Sequence, residues 1–445
     1  MRLTLSLSGV RNAIAVTAVL VAAATWATGV RAEGIRTAQA DADPSTLEVW
    51  LGGILTTATP GSPFRAYVDE QVARFEAAHP GTTVNLTLLP ANNDQLAAQV
   101  QAAFAAGEVP DVMMLYSGSY TLAYQDALLA LNDYIGATPG FFEQMGGWDA
   151  SCENLDCQGG EGTIFAVPAD VLTFVWFYNE DLFEQAGLDA PAATYEELYA
   201  QCETFKEAGL TPIAYGDLQG WTTDNYLLVD LVSHLEEGDV QRFIGGDLKF
   251  TDPAFVDSLT AIAELKARDC VQPDATTRDQ FEATSDFIAG TAAMIEGYPQ
   301  FLPTLEPALG DKLAVAPLPV SGDGPWKDRS ASNSGEGWVI PADAKNPDLA
   351  WEWIEQVSDE DAGLAIEKYI GIPPANKSAH ENMTNPYLRF IAELTNDAAI
   401  PLLDNVMDQD VALVFYKEIQ QAFAGTKTPM EALQAVQDYA DEQAP

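Results

Sequence analysis

The chain has 445 residues, 47% hydrophobic and 10% aromatic, which supports folded cores and argues against a disordered chain. Its 66 acidic and 21 basic residues give a formal charge of −45. Nucleic acid and anionic membrane surfaces need basic patches, so this balance argues against both as partners. The acids are spread along the sequence rather than clustered at metal-ligand spacings. They read as a solvated acidic surface suited to a medium that screens self-repulsion.

Arg2 and Arg11 precede an apolar run from Ala13 to Ala27, and Val30-Arg31-Ala32 places small residues at the two positions a signal peptidase reads. The run is too short to span a bilayer comfortably. A cleaved secretory signal over 1–32 is therefore expected, and with it a periplasmic location. No cysteine beside the cleavage site indicates a lipid anchor. Without the first 32 residues, 413 of the 445 remain and the charge moves from −45 to near −48, because the segment holds three arginines and no acid. That length exceeds what one core usually serves, so two lobes are expected. Residues 33–44 read as a flexible leader, small and polar without periodicity.

Leu47 to Leu51 reads as a strand, followed by Gly52-Gly53. Phe64, Val68, Val72 and Phe75 form a helical stripe closed by His79-Pro80-Gly81. Val84, Leu86 and Leu88 alternate as a strand does. Asn93 can cap a helix bearing Leu96, Val100 and Phe104 and ended by Gly107, and Val112 to Leu115 is a buried-strand run. This β-α-β-α-β order implies a parallel sheet with crossover helices, an α/β fold. In such sheets ligands collect beyond the carboxyl ends of the strands. That rule selects Trp50 with Gly52 and Gly53, Asn92 to Asp94, and Tyr116 to Tyr120.

The most informative stretch runs from Gly162 to Asp217. Leu172 to Tyr178 is a continuous apolar and aromatic run, as in a strand buried on both faces of a largely parallel sheet. Asn179 ends it, and a short helix with Leu182, Phe183 and Ala186 on one face stops at Gly187. Thr194 and Glu197 have capping-box spacing before a helix with the stripe Tyr195, Leu198, Cys202 and Phe205. Four cysteines in an oxidising compartment suggest disulfides. Cys152 and Cys157 can close a small loop and Cys202 can meet Cys270, but three pairings are open from sequence. His79, His234 and His380 lack zinc-site spacing. No metal or cofactor is expected.

This stretch resembles the periplasmic sugar-binding subunits of ATP-driven importers, the extracellular solute-binding family that includes maltose- and glucose-binding proteins. The resemblance rests on the order Gly-x-x-x-x-x-Pro, aromatic strand, Tyr-Asn, Phe-Glu-x-Ala-Gly-Leu-x-x-Pro and Thr-Tyr-x-Glu-Leu. FEAAHPGTTVNL, AAGEVPDVMML, the Phe287 to Tyr298 segment, Ser334 to Ile340 and GTKTPMEALQ are similar to other family segments. It covers nearly all of Leu47 to Asp441. It implies a two-lobed α/β fold, each lobe a mainly parallel sheet flanked by helices, with the ligand cleft between lobes. The implied division is 45–172 plus 315–368 for the N-terminal lobe and 173–314 plus 369–445 for the C-terminal lobe, with Leu313 to Pro319 crossing back. In glucose-binding members a similar cysteine pair joins the equivalents of the helices holding Cys202 and ending at Cys270, which implies that bridge.

A sugar site needs aromatic faces against the apolar C–H faces of the rings and polar groups for the hydroxyls. Trp221, Tyr298 and Trp338, with Tyr116, are the candidates for the first. Asn92, Asp94, Asp170 and Glu336 are the candidates for the second. Each has a plainer explanation: a Trp or Tyr can be a core residue, and Asn92 or Asp94 can cap a helix. The expected function is capture of a carbohydrate, as a monomer, by hinge closure and its delivery to a membrane permease. A polyamine or glycerol-phosphate receptor of the same fold is the alternative. A secreted hydrolase ranks behind both, because the sequence has no G-x-S-x-G turn, H-E-x-x-H helix or P-loop.

Overall fold

The computed structural model describes residues 46–90, 93–152, 157, 162–396, 398 and 400–443. The expected signal segment, the leader and Asn92 lie outside them. Among the described residues no helix is long and apolar enough to cross a membrane. The strands are β1 Thr46–Leu51, β2 Thr83–Leu88, β3 Val112–Tyr116, β4 Ala166–Pro168, β5 Val175–Asn179, β6 Thr211–Ala214, β7 Ala292–Gly297, β8 Leu313–Pro317 and β9 Glu336–Val339. They form two sheets, β2-β1-β3-β9-β4 and β6-β7-β5-β8, one in each lobe of a two-lobed α/β fold.

The first sheet begins as its pattern requires. β1 buries Leu47, Val49 and Leu51 and pairs in parallel with β2 and β3. Helix Pro63–Ala78 connects β1 to β2. Ser62 caps it by accepting from the Arg65 N–H, and Pro63 takes the first position, where a missing N–H costs nothing. Its buried face, with Phe75 edge-on to Trp353 at 5.4 Å, belongs to a core that also takes in Trp338 and Trp351.

In the second sheet β5 is buried along its whole length, because β7 and β8 flank it. Asn179 ends the strand and caps helix Glu180–Ala186, accepting from the Leu182 N–H. Gly187 stops that helix at φ +75°, a conformation glycine adopts without a Cβ penalty. Thr194 then caps helix Tyr195–Glu207, whose buried stripe is Tyr195, Leu198, Cys202 and Phe205. A large aromatic core with Trp176, Tyr215, Tyr226 and Phe255 lies beneath.

Two features differ from expectation. The sheets are mixed rather than mainly parallel: β9 runs antiparallel to β3 and β4, and β5 runs antiparallel to β7 and β8. These strands lie where the chain passes between sheets rather than at the ends of β-α-β units, so the rule that forces parallel crossovers does not apply to them. Also, Leu313 to Pro319 does not yet return to the first lobe. β8 is paired with β5 over Leu313–Pro317, and the chain next joins the first sheet at β9.

Three passages between the sheets lie side by side. Leu172 and Asn333 exchange backbone hydrogen bonds at 2.9 and 3.1 Å. The Val171 N–H donates to the Pro373 carbonyl and the Ala375 N–H to the Ala169 carbonyl, both at 3.1 Å. The segment 169–175 is thus the middle member of a narrow three-stranded bridge.

Disulfides join Cys152 to Cys157 and Cys202 to Cys270. The second ties helix Tyr195–Glu207 to the end of helix Pro253–Ala267 across a separation of 68 residues, against 5 for the first. Replacing both Cys202 and Cys270 by alanine is expected to remove about 2–4 kcal/mol of stability, and the Cys152/Cys157 pair less, because loop-closure entropy grows with the loop. Guanidinium denaturation of the two double variants checks this order.

Candidate ligand cleft

A cavity of about 320 Å³ opens where the two sheets' strand ends meet the passages. From the first lobe come Tyr116 and Glu336, which face each other in register at the paired ends of β3 and β9. Leu172, Phe174 and Gly335 come from the passages. The second lobe supplies Trp221 and Asn225, one turn apart at the start of helix Trp221–Leu231, and Tyr298 and Gln300 just beyond β7. Leu402, Asp404 and Asn405 complete it from the short helical turn near Leu403–Val406. None of these lining side chains is cationic. A second cavity, of about 360 Å³, touches the passages through Val171 and Ser332, but Lys377 and His380 stand in its wall. It also lies away from the strand ends where α/β sheets collect ligands.

Glu336 is held from three sides. Its N–H donates to Oδ1 of Asp170 at 2.9 Å, and the Ile54 N–H donates to its Oε1 at 2.9 Å. Gly53 covers it closely: a Cβ there would stand 2.2 Å from Glu336 Cγ, and Gly53 has φ +51°. The other oxygen of Asp170, Oδ2, is buried without a protein partner. Burial, and then the charge of Asp170, pushes the Glu336 carboxyl well above the ordinary range. Burial also raises Asp170. Such a pair shares a proton, since two ionised carboxylates this close in a buried site repel strongly.

The second lobe repeats the theme. Burial raises Asp224 and Asp404, and the Asp404 charge raises Asp224 further. The Tyr416 hydroxyl donates to Asp404 Oδ2 at 2.9 Å, while Asp404 Oδ1 is buried without a protein partner. Behind them Glu296 accepts from Asn225 Nδ2 at 3.1 Å and Gln280 Nε2 at 3.2 Å. Burial lifts it to about 8, and lifts Asp217 to about 7.

Of the residues singled out in the sequence, Tyr116, Trp221, Tyr298 and Glu336 line this one cavity, and Asp170 touches it through Glu336. Trp338 does not reach it. Its side chain is 1% exposed and packs edge-on to Trp353 at 6.1 Å, so it is a core residue. Asp94 lies in the first turn of helix Asn93–Ala106. Sequence reasoning missed Asn225, Gln300, Asp404 and Asn405. Asn225 was findable, four residues from Trp221 and so on the same helical face. Asp404 and Asn405 sit in an irregular stretch without a motif.

Two outcomes are expected. Between about pH 4, where unfolded carboxyls titrate, and about pH 8, the folded chain keeps protons on Glu296 and Asp217 that the unfolded chain has released. Stability of the free protein should therefore fall as pH rises through that window. Thermal melts at a series of pH values test this, and Glu296→Gln should flatten the upper part. Gly53→Ala should cost about 1–3 kcal/mol through the left-handed strain and displacement of Glu336, read by chemical denaturation.

The sequence profile described as bacterial extracellular solute-binding protein matches residues 56–363. An uncharacterized ABC transporter extracellular-binding protein of Pyrococcus horikoshii is 28% identical over 244 residues, and the match spans about half of each chain, 52%. The sn-glycerol-3-phosphate-binding periplasmic protein UgpB of Escherichia coli is 22% identical, with 82% of this chain and 86% of that one covered. In solved structures the same fold occurs in a chitin oligosaccharide binding protein (TM-score 0.70, 22% identity, 89% of this chain and 98% of that one). It occurs also in the sugar-binding protein MalE of Xanthomonas citri (TM-score 0.73, 19% identity, 89% and 96%). With the profile matched over more than half its length, the chain belongs to the bacterial extracellular solute-binding family.

Proposed function

We propose that the chain is the extracytoplasmic receptor of an ABC-type importer and that its cargo is a neutral carbohydrate. The observation that carries this reading is the cavity's composition. Tyr116, Phe174, Trp221 and Tyr298 offer aromatic faces, Glu336, Asp404, Asn225, Gln300 and Asn405 offer hydroxyl partners, and no cation is among them. Aromatic faces suit the C–H faces of a pyranose, and carboxyls and amides suit its hydroxyls. The unpartnered Oδ1 of Asp404 is an acceptor offered to such a hydroxyl. A phosphate would meet acids, aromatics and neutral amides but no cation among these lining residues, which counts against the cargo of the glycerol-phosphate relative. The shared protons described above leave the cleft fewer full negative charges than its acids suggest, which counts against a polyamine. The structural neighbours include a chitin oligosaccharide binding protein and a sugar-binding protein, which supports the same choice.

The proposed cycle is hinge closure. We take the lobes as 46–168 with 336–370 and 175–317 with 386–443, joined by the three passages. Ligand touching both lobes favours the closed form by its differential affinity for that form. The closed monomer, in the periplasm after loss of its signal segment, then docks on a permease and releases its cargo unaltered.

A thermal-shift screen of the 33–445 protein against neutral saccharides, glycerol 3-phosphate and spermidine, with product analysis, tests the reading. A neutral sugar at a hundredfold excess over its Kd should stabilise by about 2.7 kcal/mol and be recovered intact. Stabilisation by glycerol 3-phosphate or spermidine alone, or cleavage of the sugar, would sink the proposal. Trp221→Ala should weaken the sugar by roughly 10- to 100-fold, the loss of one stacking face and its contact area, measured by titration calorimetry.

A further inference from the structure

The three-stranded bridge has two faces, and a cavity lies on each. Leu172 and Phe174 of the middle passage line the ligand cleft, while Val171 lines the second cavity, of about 360 Å³, together with Ser332 of the neighbouring passage. Successive side chains of an extended chain point to opposite faces, so the bridge is the wall between the two. Both lobes contribute to this rear cavity. Phe142, Met145 and Trp148 come from the first, and Thr395, Asn396 and Ile400 come from the end of helix Pro386–Asn396 and the stretch after it in the second.

The walls are fixed where they meet the bridge. The Gly146 N–H donates to the Ala375 carbonyl at 2.8 Å, and the Ser332 N–H to the Ile400 carbonyl at 3.1 Å. The rings of Phe142 and Trp148 stack 5.0 Å apart, and the Trp148 indole N–H is spent on the Phe142 carbonyl at 3.0 Å, so this wall is apolar. The polar groups are donors. His380 Nε2 lies 2.7 Å from the Pro374 carbonyl, which can only accept, so Nε2 holds the proton and Nδ1 accepts from Asn396 Nδ2 at 3.3 Å. Burial, helped by the Lys377 charge and opposed by the bond to Pro374 and the charge of Glu393, holds this imidazole below its ordinary range. One N–H of the Asn396 amide remains. Lys377, its stem laid over Gly146, makes no ion pair with any described residue. In a chain with 66 acids, no carboxylate is among the described residues lining this cavity.

We propose that this rear cavity is a second ligand site, for a small organic carboxylate with a flat apolar body, and that its occupant weakens capture of cargo in the cleft. The carboxylate meets Lys377 and the remaining N–H of Asn396 in charge-assisted bonds, and the body lies against Phe142, Trp148 and Met145. The two cavities differ in charge: the cleft is lined by acids without a cation, the rear cavity by a lysine without an acid. Closure of the cleft about the bridge draws the rear walls apart. An occupant touching both walls therefore favours the open form, and by linkage cargo weakens its binding in turn. The binding claim stands apart from the carbohydrate reading; the effect on capture rests on it.

Titration calorimetry of the sugar-free 33–445 protein tests the site with benzoate and indole-3-acetate against their uncharged amides, benzamide and indole-3-acetamide. At least one carboxylate should bind about tenfold or more tighter than its amide, the scale of one charge-assisted hydrogen bond, and Lys377→Gln should erase that preference. Lys377 is half-buried and pairs with no described acid, so the variant should melt with the parent protein. The same carboxylate at saturation should raise the Kd of the neutral sugar that binds the cleft by about fivefold. No binding of either carboxylate, amides that bind as tightly, or a preference that survives Lys377→Gln overturns the site. A sugar Kd left unchanged or lowered overturns the effect on capture. If no sugar binds while a carboxylate does, the carbohydrate reading and the effect on capture fail and the site stands.

Discussion

The backbone N–H of Glu336 donates to the carboxyl of Asp170, and much of the cleft depends on that bond. Asp170 belongs to the middle passage between the lobes, and Glu336 opens the strand that joins β3 to β4. The bond therefore fixes the passage to the first sheet at the point where ligand would enter. Gly53 is glycine because any Cβ there would strike Glu336, and Ile54 turns its N–H inward because Oε1 is the acceptor waiting for it. One carboxyl pair thus sets the loop after β1, the start of β9 and the direction of the middle passage together. In the proposed cycle the second lobe moves against this fixed corner.

Buried acids on both sides of the cleft would be costly if all were ionised. Burial pushes Asp170 and Glu336, Asp224 and Asp404, and Glu296 beside Asn225 and Gln280 toward their neutral forms, which lowers that cost. The chain is strongly acidic overall, yet burial leaves its cleft carboxyls closer to neutral than the surface acids. This is why a very acidic receptor is compatible with a neutral cargo, and why its surface charge says little about what it binds. The cleft carboxyls, unlike the surface acids, are governed by desolvation.

Much of the fold was legible because local signals agreed. Phe75 and Val68 on one helical stripe, Asn179 and Gly187 bracketing a short helix, and Thr194 before its capped helix all lie where pattern and capping put them. Strand direction was not legible at β5 and β9. Apolar runs report burial, and a strand flanked on both sides is buried whether its neighbours run parallel or antiparallel. In the site, Tyr116 was found through the rule that ligands gather at strand ends, whereas Glu336 was found through its glycine-rich setting and its place in the family pattern. Trp338, two residues beyond Glu336, went to the core because depth along a strand cannot be read from residue type. Asp404 and Asn405 reach the cavity through tertiary packing alone, and nothing in their local sequence marks them.

The most direct test of the account is small-angle X-ray scattering of the 33–445 protein with and without a saturating neutral saccharide. The account predicts a smaller radius of gyration with the sugar, as two lobes close on a ligand that touches both, and no change with glycerol 3-phosphate. Compaction by glycerol 3-phosphate, or a sugar that binds tightly and leaves the radius unchanged, would contradict it.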